Sequence, residues 1–418
     1  MICLVMIVKN EENVIERSLR SAFASPLVTS WCIVDTGSTD KTIEIIHRVA
    51  KELNKKGVLY ERPWVNFAVN RTEALQYASS ASYASYASPK KAEWLFMLDA
   101  DDVLCGDFSS IKSLDTSIDG YTIPLHLGNI KYRRTLLFNA SKPWIYKFPI
   151  HEYPYLHNCT TQPLPLPLPP LTHSIYIHCR SGEGARSKNP NKYADDAILL
   201  EQEYQNPQSE DKSRAAFYAA QSWRDAGYPE KAIHWFTIRL SLCGWKEEQY
   251  ICYLNIIRIS ASASASASKE TKETKETKET KETKETKETK ETKEINISQN
   301  AMLVYAWKAL SLCPNRKEVT HSLLEWYRKT KFWSTEAYAL GLISYNNTSP
   351  PPIDSLFLEQ EVYDYKLYDE FSVYAYYMGY DKEAVEAANK ALAPSSINPV
   401  DSKRIAENIR RMTSNDAV

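Results

Sequence analysis

The stretch Trp94-Leu95-Phe96-Met97-Leu98-Asp99-Ala100-Asp101-Asp102 decides the fold of this sequence, because an apolar run ends abruptly in acidic residues. Five consecutive apolar side chains are typical of a strand that is buried on both faces of a sheet. The carboxylates that follow would stand at the carboxyl end of that strand, where open α/β sheets bind their ligands. The stretch therefore predicts a buried strand with an acidic site at its tip.

The sequence upstream repeats this arrangement. The apolar run Ile2–Val8 is followed by Asn10-Glu11-Glu12, and a second run at 31–34 is followed by the polar turn at 35–40. Lys9-Asn10-Glu11-Glu12 is predicted to open a helix that continues through Arg20. Further helices are predicted over 41–53 and 72–78, and a further strand over 58–62. Strands that alternate with helices favour an α/β fold with a mostly parallel sheet covered on both faces. Polar groups from three strand ends would then meet at one edge of the sheet.

Composition narrows the class of protein. The 418 residues carry a formal net charge of −1, so no overall field attracts nucleic acid or an anionic membrane. The apolar start lacks the basic residues and cleavage site of a secretory signal, and no apolar stretch approaches the ~20 residues of a membrane span. The eight cysteines are scattered without a Cys-x-x-Cys pair. We therefore expect a cytoplasmic protein with reduced thiols, no membrane span and no nucleic-acid partner.

The alternating carboxylates Asp99 and Asp101 suit a divalent cation. Mg²⁺ and Mn²⁺ accept one or two carboxylates and complete their shells with water and substrate phosphates. Such an ion can neutralise the charge that develops on a departing nucleoside diphosphate. An acidic loop without a ligand is the competing interpretation of so short a motif. The preceding apolar run and the position at a strand end favour the metal site.

The turn at residues 35–40 has features of a nucleotide site. The carboxylate of Asp35 could bond a base edge or a ribose hydroxyl, and Gly37 would let the backbone pass close to a ligand. A tight turn followed by a helix cap also explains Ser38 and Asp40. We favour a double role for the turn, in which Asp35 is a nucleotide ligand.

From about residue 190 onward the pattern becomes helical. One stretch fits the 34-residue tetratricopeptide template, in which small residues let two helices approach and aromatic residues fill the groove between them. The matching positions are Ala220, Trp223, Gly227, Ala232 and Phe236. Further helices toward the carboxyl end agree with the template less well.

Three low-complexity tracts interrupt the chain. The small-residue tract at 79–88 is predicted to be a loop insertion, and the proline-rich tract at 163–170 to be extended polyproline II. Residues 261–294 alternate Ser and Ala and then repeat Lys-Glu-Thr. Because this third tract has no apolar face to bury, we predict a disordered or fraying helical insertion.

These patterns predict four regions. An α/β domain covers residues 1–188, and tetratricopeptide-like helices cover 189–260. The low-complexity insertion covers 261–295, and helical repeats cover 296–418.

The motifs of the first region resemble those of family-2 glycosyltransferases with the GT-A fold. Residues 2–20 resemble the opening of these enzymes, 34–42 their nucleotide-binding turn, and 98–102 their metal-binding D-x-D. Residues 64–75 are similar to a segment that carries an arginine close to the nucleotide, and Arg71 matches that arginine.

The resemblance continues beyond the D-x-D. Residues 133–138, Trp144 and His151-Glu152-Tyr153 are similar to the acceptor-side segment of these enzymes. Residues 217–227 and 244–248 resemble the helical repeats of a subgroup that fuses this domain to tetratricopeptide-like helices. The motifs stand in the expected order, although Thr72 replaces the asparagine of many relatives.

The resemblance implies an inverting glycosyltransferase of the hexosyltransferase type. It would move a sugar from a nucleotide-diphospho-sugar, with uridine as the expected nucleoside, to a peptide, protein or glycan acceptor. The implied site residues are Asp35, Gly37, Arg71 and Asp99 for the nucleotide sugar, Asp101 and His151 for Mn²⁺ or Mg²⁺, and Glu152 or Asp102 as the base.

Several alternatives stay open at this stage. An interior histidine at 151, and an ion pair between Glu152 and a nearby arginine, would explain those two residues without catalysis. Four arginines could clamp a diphosphate or simply be surface charges: Arg133, Arg134, Arg180 and Arg186. The whole chain could also be a tetratricopeptide interaction protein whose first domain binds a nucleotide sugar without turning it over. A nucleotidyltransferase is less favoured, because the first strand is not followed by a Gly-rich phosphate loop.

Overall fold

The computed structural model describes residues 1–80, 92–106, 108, 114–128, 130–163, 175–180, 182–276, 299–330, 333–351 and 355–414. The chain divides into two compact units, Met1–Ser209 and Glu210–Val418. The four region boundaries predicted from the sequence remain predictions.

The first half of the first unit alternates strands and helices. In chain order its elements are β1 (Ile2–Val8), α1 (Ile15–Phe23), β2 (Val28–Asp35), α2 (Thr42–Glu52), β3 (Lys56–Glu61), α3 (Phe67–Ser79) and β4 (Trp94–Met97). These elements match the predicted alternation, with ends that differ by a few residues.

The second half of the first unit consists mainly of strands. It contains β5 (Val103–Cys105), β6 (Gly120–Leu127), β7 (Ile130–Asn139), β8 (Ile145–Lys147), β9 (Tyr153–Tyr155), β10 (Thr161–Pro163) and β11 (Tyr176–His178). A short 3₁₀ helix (Ala185–Lys188) and α4 (Lys192–Gln205) follow.

Within the described residues, one nine-stranded sheet has the order β3-β2-β1-β4-β7-β6-β11-β5, with β10 beside β6. The strands β3, β2, β1 and β4 run parallel, and β7 is antiparallel to β4. The register places Val8 beside Asp35 and Val5 beside Met97. Because parallel strands end at the same edge, the tips of β1, β2 and β4 are neighbours. The predicted α/β fold with a mostly parallel sheet is confirmed.

Alternating residues of β1 supply the two cores of the first unit. Leu4 packs in one apolar cluster with Leu19 of α1, and Val5 packs in another with Ala74 of α3. All four side chains are buried. Helices thus cover both faces of β1, which explains why the strand is apolar without interruption.

The second unit is helical throughout its described part. It contains α5 (Lys212–Asp225), α6 (Pro229–Ser241), α7 (Lys246–Glu276), α8 (Gln299–Leu312), α9 (Glu318–Thr330), α10 (Thr335–Asn346), a π-helical turn (Val362–Lys366), α11 (Leu367–Tyr377), α12 (Asp381–Leu392) and α13 (Pro399–Thr413). The predicted all-α region after the sheet is confirmed.

The turn between α5 and α6 has the geometry that the tetratricopeptide template requires. Gly227 has a φ of +80° and donates its N–H to Arg224 O at 3.0 Å, and Tyr228 donates to Trp223 O at 2.9 Å. These two bonds form a Schellman cap, in which the left-handed residue is usually glycine. The cap ends α5 and sends the chain directly into α6.

The same cap joins α11 to α12. Gly379 has a φ of +79° and donates to Tyr376 O at 3.0 Å, and Tyr380 donates to Ala375 O at 2.9 Å. In sequence, the helices predicted at 370–378 and 382–392 agree less well with the repeat template. Its turn nevertheless closes in the same way as the first, so the second unit contains at least two such hairpins.

The described residues reach the three low-complexity tracts only in part. The tract at 79–88 lies outside them from residue 81 onward, and the one at 163–170 from residue 164 onward. Helix α7 continues through the Ser-Ala repeat as far as Glu276, and residues 277–298 are not described. None of the helices in the described ranges is long and apolar enough to cross a membrane.

Candidate active site at the carboxyl edge of the sheet

Hydrogen bonds hold the loops after β1 and β2 together. Asn10, whose φ is +57°, donates its backbone N–H to Ser38 Oγ at 2.9 Å and accepts from the N–H of Thr39 at 2.7 Å through its side chain. Glu11 N–H donates to Thr42 Oγ1 at 2.7 Å. The loop after β1 is therefore fixed against the first turn of α2, which gives this edge of the sheet a defined shape before any ligand binds.

Asp35 ends β2 with its side chain buried. One carboxyl oxygen, Oδ2, accepts the N–H groups of Gly37 at 3.0 Å and Ser38 at 2.9 Å. The other oxygen, Oδ1, is buried and has no hydrogen-bond partner within the described part of the chain. Burying an acceptor unpaired costs about 1–3 kcal/mol. An N–H or O–H group of a ligand would remove that cost, which fits a nucleotide-binding role for Asp35.

Arg71 connects two acidic residues that are far apart in sequence. Its Nε donates to Glu152 Oε1 at 2.7 Å, and its Nη2 donates to Asp99 Oδ1 at 2.6 Å. The guanidinium also lies 5.9 Å from the ring of Phe67 and 5.8 Å from that of Tyr146. Arg71 is only 5% exposed, so both ion pairs are shielded from solvent on its side.

The three aspartates of the acidic loop after β4 have pKa values shifted in different directions. Burial acts to raise the pKa of Asp99, but the charges of Arg71 and Arg134 outweigh it and lower that pKa. Burial raises the pKa of Asp101, and the charge of Asp99 adds to the effect. The same two causes, joined by the charge of Asp101, raise the pKa of Asp102 to about 8. The loop thus holds three carboxyl groups close together, and a cation bound beside them would favour their ionised forms.

A further carboxylate, Glu11, lies beside Asp101. A Cβ atom added to Gly184 would stand 2.9 Å from Asp101 Oδ2 and 3.5 Å from Glu11 Oε2, so the glycine is flanked by both carboxylates. Glu11 Oε2 accepts the N–H of Ala185 at 3.1 Å. Burial raises the pKa of Glu11 to about 7 against the effect of this hydrogen bond, and the charge of Asp101 contributes. The sequence predicts Glu11 at a strand end but indicates no role for it in the site.

The carboxylate oxygens at this edge are the donors that Mg²⁺ and Mn²⁺ prefer. In the described ranges, however, no three His, Cys, Asp or Glu side chains already converge as a metal site. His151 is exposed, with a backbone φ of +54°, directly before Glu152. Asp101 and His151 as metal ligands therefore stay a prediction.

The structure brings Arg71, Asp99 and Glu152 into direct contact and places Asp101 and Asp102 on the same loop as Asp99. Glu152 forms the arginine pair that the non-catalytic interpretation expects, so the contact fits both interpretations. Arg134 also approaches Glu152, at 3.9 Å. The other arginines considered as diphosphate ligands contact different side chains: Arg133 bonds Thr122, Arg180 pairs with Glu183, and Arg186 pairs with Asp196.

Comparisons with solved structures found similar chains of low identity. A thermophilic tetratricopeptide (TPR) protein of Thermus thermophilus is 13% identical, with 53% of this chain and 92% of that chain covered and a TM-score of 0.30. TarS of S. aureus, residues 1–349, is 12% identical, with 62% and 80% covered and a TM-score of 0.27. These TM-scores are too low to establish a shared fold. No curated protein sequence matches the chain.

The family comparison covers the sheet edge described above. The model described as glycosyl transferase family 2 matches residues 3–108, a range that includes Asp35, Arg71 and the acidic loop after β4. The motifs at 34–42, 64–75 and 98–102, and nearly all of the one at 2–20, lie within this range, whereas the resembling segments from residue 133 onward lie outside it. Residues 3–108 carry a glycosyl transferase family 2 domain.

Proposed function

We propose that the first unit transfers a hexose from a nucleotide-diphospho-sugar, with uridine as the nucleoside, to a peptide, protein or glycan acceptor, and that it inverts the anomeric carbon. The observation that carries the proposal is the ion-pair chain from Glu152 through Arg71 to Asp99. It lies at the carboxyl edge of the sheet, where α/β folds bind ligands, and most of it belongs to the family-2 domain.

The donor would bind across the tips of β2 and β4. Asp35 would accept a hydrogen bond from the nucleoside through its unpaired Oδ1, and Gly37, whose φ is +101°, keeps the adjacent backbone close to that ligand. Arg71 would hold Asp99 in one orientation against the donor, because its guanidinium already bonds that carboxylate at 2.6 Å.

A cation would bind on the acidic side of this edge. Asp101 and His151 are the proposed ligands for Mn²⁺ or Mg²⁺, and Glu11 lies close enough to Asp101 to add negative charge at the same place. When bound, the metal would neutralise the charge that develops on the departing nucleoside diphosphate. The carboxylates on the chain fit this task because hard oxygen donors suit these ions.

Two carboxylates are candidates for the base that takes the acceptor proton. Glu152 Oε1 accepts a hydrogen bond from Arg71 Nε at 2.7 Å, which orients the carboxylate and occupies one of its lone pairs. Asp102 accepts instead from Cys179 Sγ at 3.8 Å. Either residue would serve a single displacement, which needs one base and no covalent intermediate. Because Arg71 already engages Glu152 Oε1, we favour Asp102 as the base.

Conservative variants should separate the two candidates. We expect Asp102→Asn to lower kcat by about 10²–10⁴-fold with little change in the donor KM, as loss of a general base does. Glu152→Gln should mainly raise the donor KM, because it frees Arg71 from its fixed orientation. Initial-rate kinetics on both variants, at saturating and limiting donor, make the measurement. The reverse pattern would assign the base to Glu152.

Transfer itself is testable with a panel of nucleotide sugars. We expect the full chain to release nucleoside diphosphate from a uridine-diphosphate sugar in the presence of Mn²⁺, to lose this activity with EDTA and to regain it when Mn²⁺ is restored. Incubation with cell extract should then show acceptors by a mass increase of one hexose. Activity that is indifferent to EDTA would remove the metal from the proposal. Calorimetric binding of uridine diphosphate without turnover of any donor would favour the interaction-protein alternative.

A further inference from the structure

The second unit contains a cavity of about 640 Å³ far along the chain from the family-2 domain. Helices α9, α11 and α13 line it, together with Trp333. Its volume is within the range of about 300–1,000 Å³ that is typical of small-molecule sites. The lining combines ion-paired side chains with aromatic rings.

Most of the charged side chains that line the cavity are paired with one another. Of the three lining arginines, Arg328 is matched by Glu370 and Arg404 by Asp369. The third, Arg411, contacts Glu407, which does not line the cavity and also pairs with Arg410. The first two pairs are bidentate, with distances of 2.7 and 2.8 Å and of 3.1 and 2.6 Å. A charged ligand would have to break such pairs, whereas a neutral polar ligand could bond their remaining N–H groups and lone pairs.

The aromatic side chains form a platform at the same place. The rings of Trp333 and Tyr377 are stacked with their centroids 4.5 Å apart and their planes 18° apart. Tyr377 is nevertheless 61% exposed, more than any other phenylalanine, tyrosine or tryptophan in the described part of the chain. Trp333 is held from another side by Tyr374, at 5.1 Å. The exposed ring is therefore held in one orientation, so packing a flat apolar surface against it would cost little conformational entropy.

From this combination we infer that the cavity binds a neutral oligosaccharide. A pyranose ring presents a face of C–H groups, which packs on an aromatic ring such as Tyr377, and a rim of hydroxyls, each of which is both donor and acceptor. Asn408, Arg328 and Asp369 supply donors and acceptors around the platform. The inference rests on the proposed function in one respect: the bound sugar chain would be the acceptor that the enzyme extends.

Binding can be measured on the full chain without any turnover. The probes are maltotetraose, cellotetraose and chitotetraose, tested by saturation-transfer NMR and calorimetry. We expect at least one of them to bind and Tyr377→Ala to weaken it about tenfold, through loss of the stacking surface. Because Tyr377 is mostly exposed, the variant should keep the helical circular dichroism spectrum and the melting temperature of the parent.

Tyr380→Ala is the matched control. Tyr380 is also exposed, at 40%, and also stacked, on Tyr338 at 4.2 Å, but it does not line the cavity. Its replacement should leave binding unchanged. Failure of all three oligosaccharides to bind would overturn the inference, as would equal weakening by both tyrosine variants. If hexaglutamate bound and this binding were lost in Tyr377→Ala, the inference would be overturned in favour of an acidic peptide as the ligand.

The experiment is independent of the catalytic proposal. Uridine diphosphate binding to the first unit is measured in the same calorimeter and should not respond to Tyr377→Ala. Absent transfer activity with intact oligosaccharide binding would contradict the proposed function alone. Absent oligosaccharide binding with intact transfer would contradict this inference alone.

Discussion

Replacing Asp101 with asparagine should lower kcat for sugar transfer about 10³-fold while the protein stays folded. The side chain keeps its size but loses the charge that would hold a divalent cation beside the diphosphate, and stabilisation of a leaving group by a metal contributes several kcal/mol. Asp101 already lies beside another carboxylate, that of Glu11, so the change also relieves repulsion and should raise the melting temperature slightly. Steady-state kinetics over a Mn²⁺ titration measures the change in kcat. Thermal unfolding measures the change in melting temperature.

The control for this variant is Asp115→Asn. Asp115 is an exposed aspartate of the same unit whose carboxylate caps a turn by accepting the N–H of Ser117 at 2.9 Å. Its replacement should leave both kcat and the Mn²⁺ dependence unchanged. If Asp101→Asn kept the parental rate and the parental response to Mn²⁺, Asp101 would have no part in binding a metal.

Replacing Arg71 with methionine should both abolish activity and destabilise the first unit by about 3 kcal/mol, because one partner of a buried charge network is removed. Two acceptors, Glu152 Oε1 and Asp99 Oδ1, would lose hydrogen bonds of 2.7 and 2.6 Å. The Glu152 side chain is only 7% exposed, so water cannot fully replace the guanidinium. Urea unfolding, followed by the fluorescence of the tryptophans in the sheet, measures the change in stability.

A second arginine–glutamate pair in the same unit provides a control for the stability change expected of Arg71→Met. Arg62 bonds Glu73 at 3.2 Å, but its side chain is 43% exposed, and such surface pairs contribute at most about 1 kcal/mol. Arg62→Met should therefore have a small effect. Adding Glu152→Gln to Arg71→Met should recover part of the lost stability by removing the unpaired charge. Equal losses for the two arginine variants would show that Arg71 is not an internal anchor.

The sheet was predictable because its signal is local. Each of β1, β2 and β4 contains an apolar run that stops at a polar cluster, and apolar runs of that length are typical of strands in a sheet covered on both faces. Helix limits were less predictable. The helix expected at 72–78 in fact begins at Phe67, because Asn66 caps it by accepting the N–H of Val69 at 2.9 Å. A lone asparagine among apolar residues gave little indication of that cap.

The residues of the candidate site were also predictable only where the signal is local in sequence. Asp35, Asp99 and Asp101 follow strands directly, so their position could be inferred from the chain itself. The contact of Glu11 with Ala185 joins residues 174 positions apart, and no local pattern indicates it. The hydrogen bond of Arg71 to Glu152 spans 81 positions and was expected only as one interpretation of Glu152, with no partner named. Long-range polar contacts of this kind depend on how the strands are ordered in the sheet.

The hairpin formed by α11 and α12 was also less predictable, because its residues agree less well with the tetratricopeptide template. Its glycine cap has the same two hydrogen bonds as the cap between α5 and α6. The aromatic and small residues around α11, however, depart from the template. Both helices of this hairpin were predicted with weaker agreement to the template, and the cap at Gly379 joins them. The left-handed glycine is the part of the template that the backbone of both turns requires.

The unpaired oxygen of Asp35 has a consequence for which nucleobases the enzyme would accept as part of its donor. A uracil ring carries an N–H that can complete the hydrogen bond to Oδ1, whereas cytosine presents a lone pair at the corresponding ring nitrogen. Two acceptors would then face each other in a buried place, and sites that lose a required partner in this way discriminate by about 10⁴–10⁵-fold. Base discrimination would thus arise from one hydrogen-bonding position that the protein leaves for the ligand to fill, with no need for a pocket that excludes cytosine by its size.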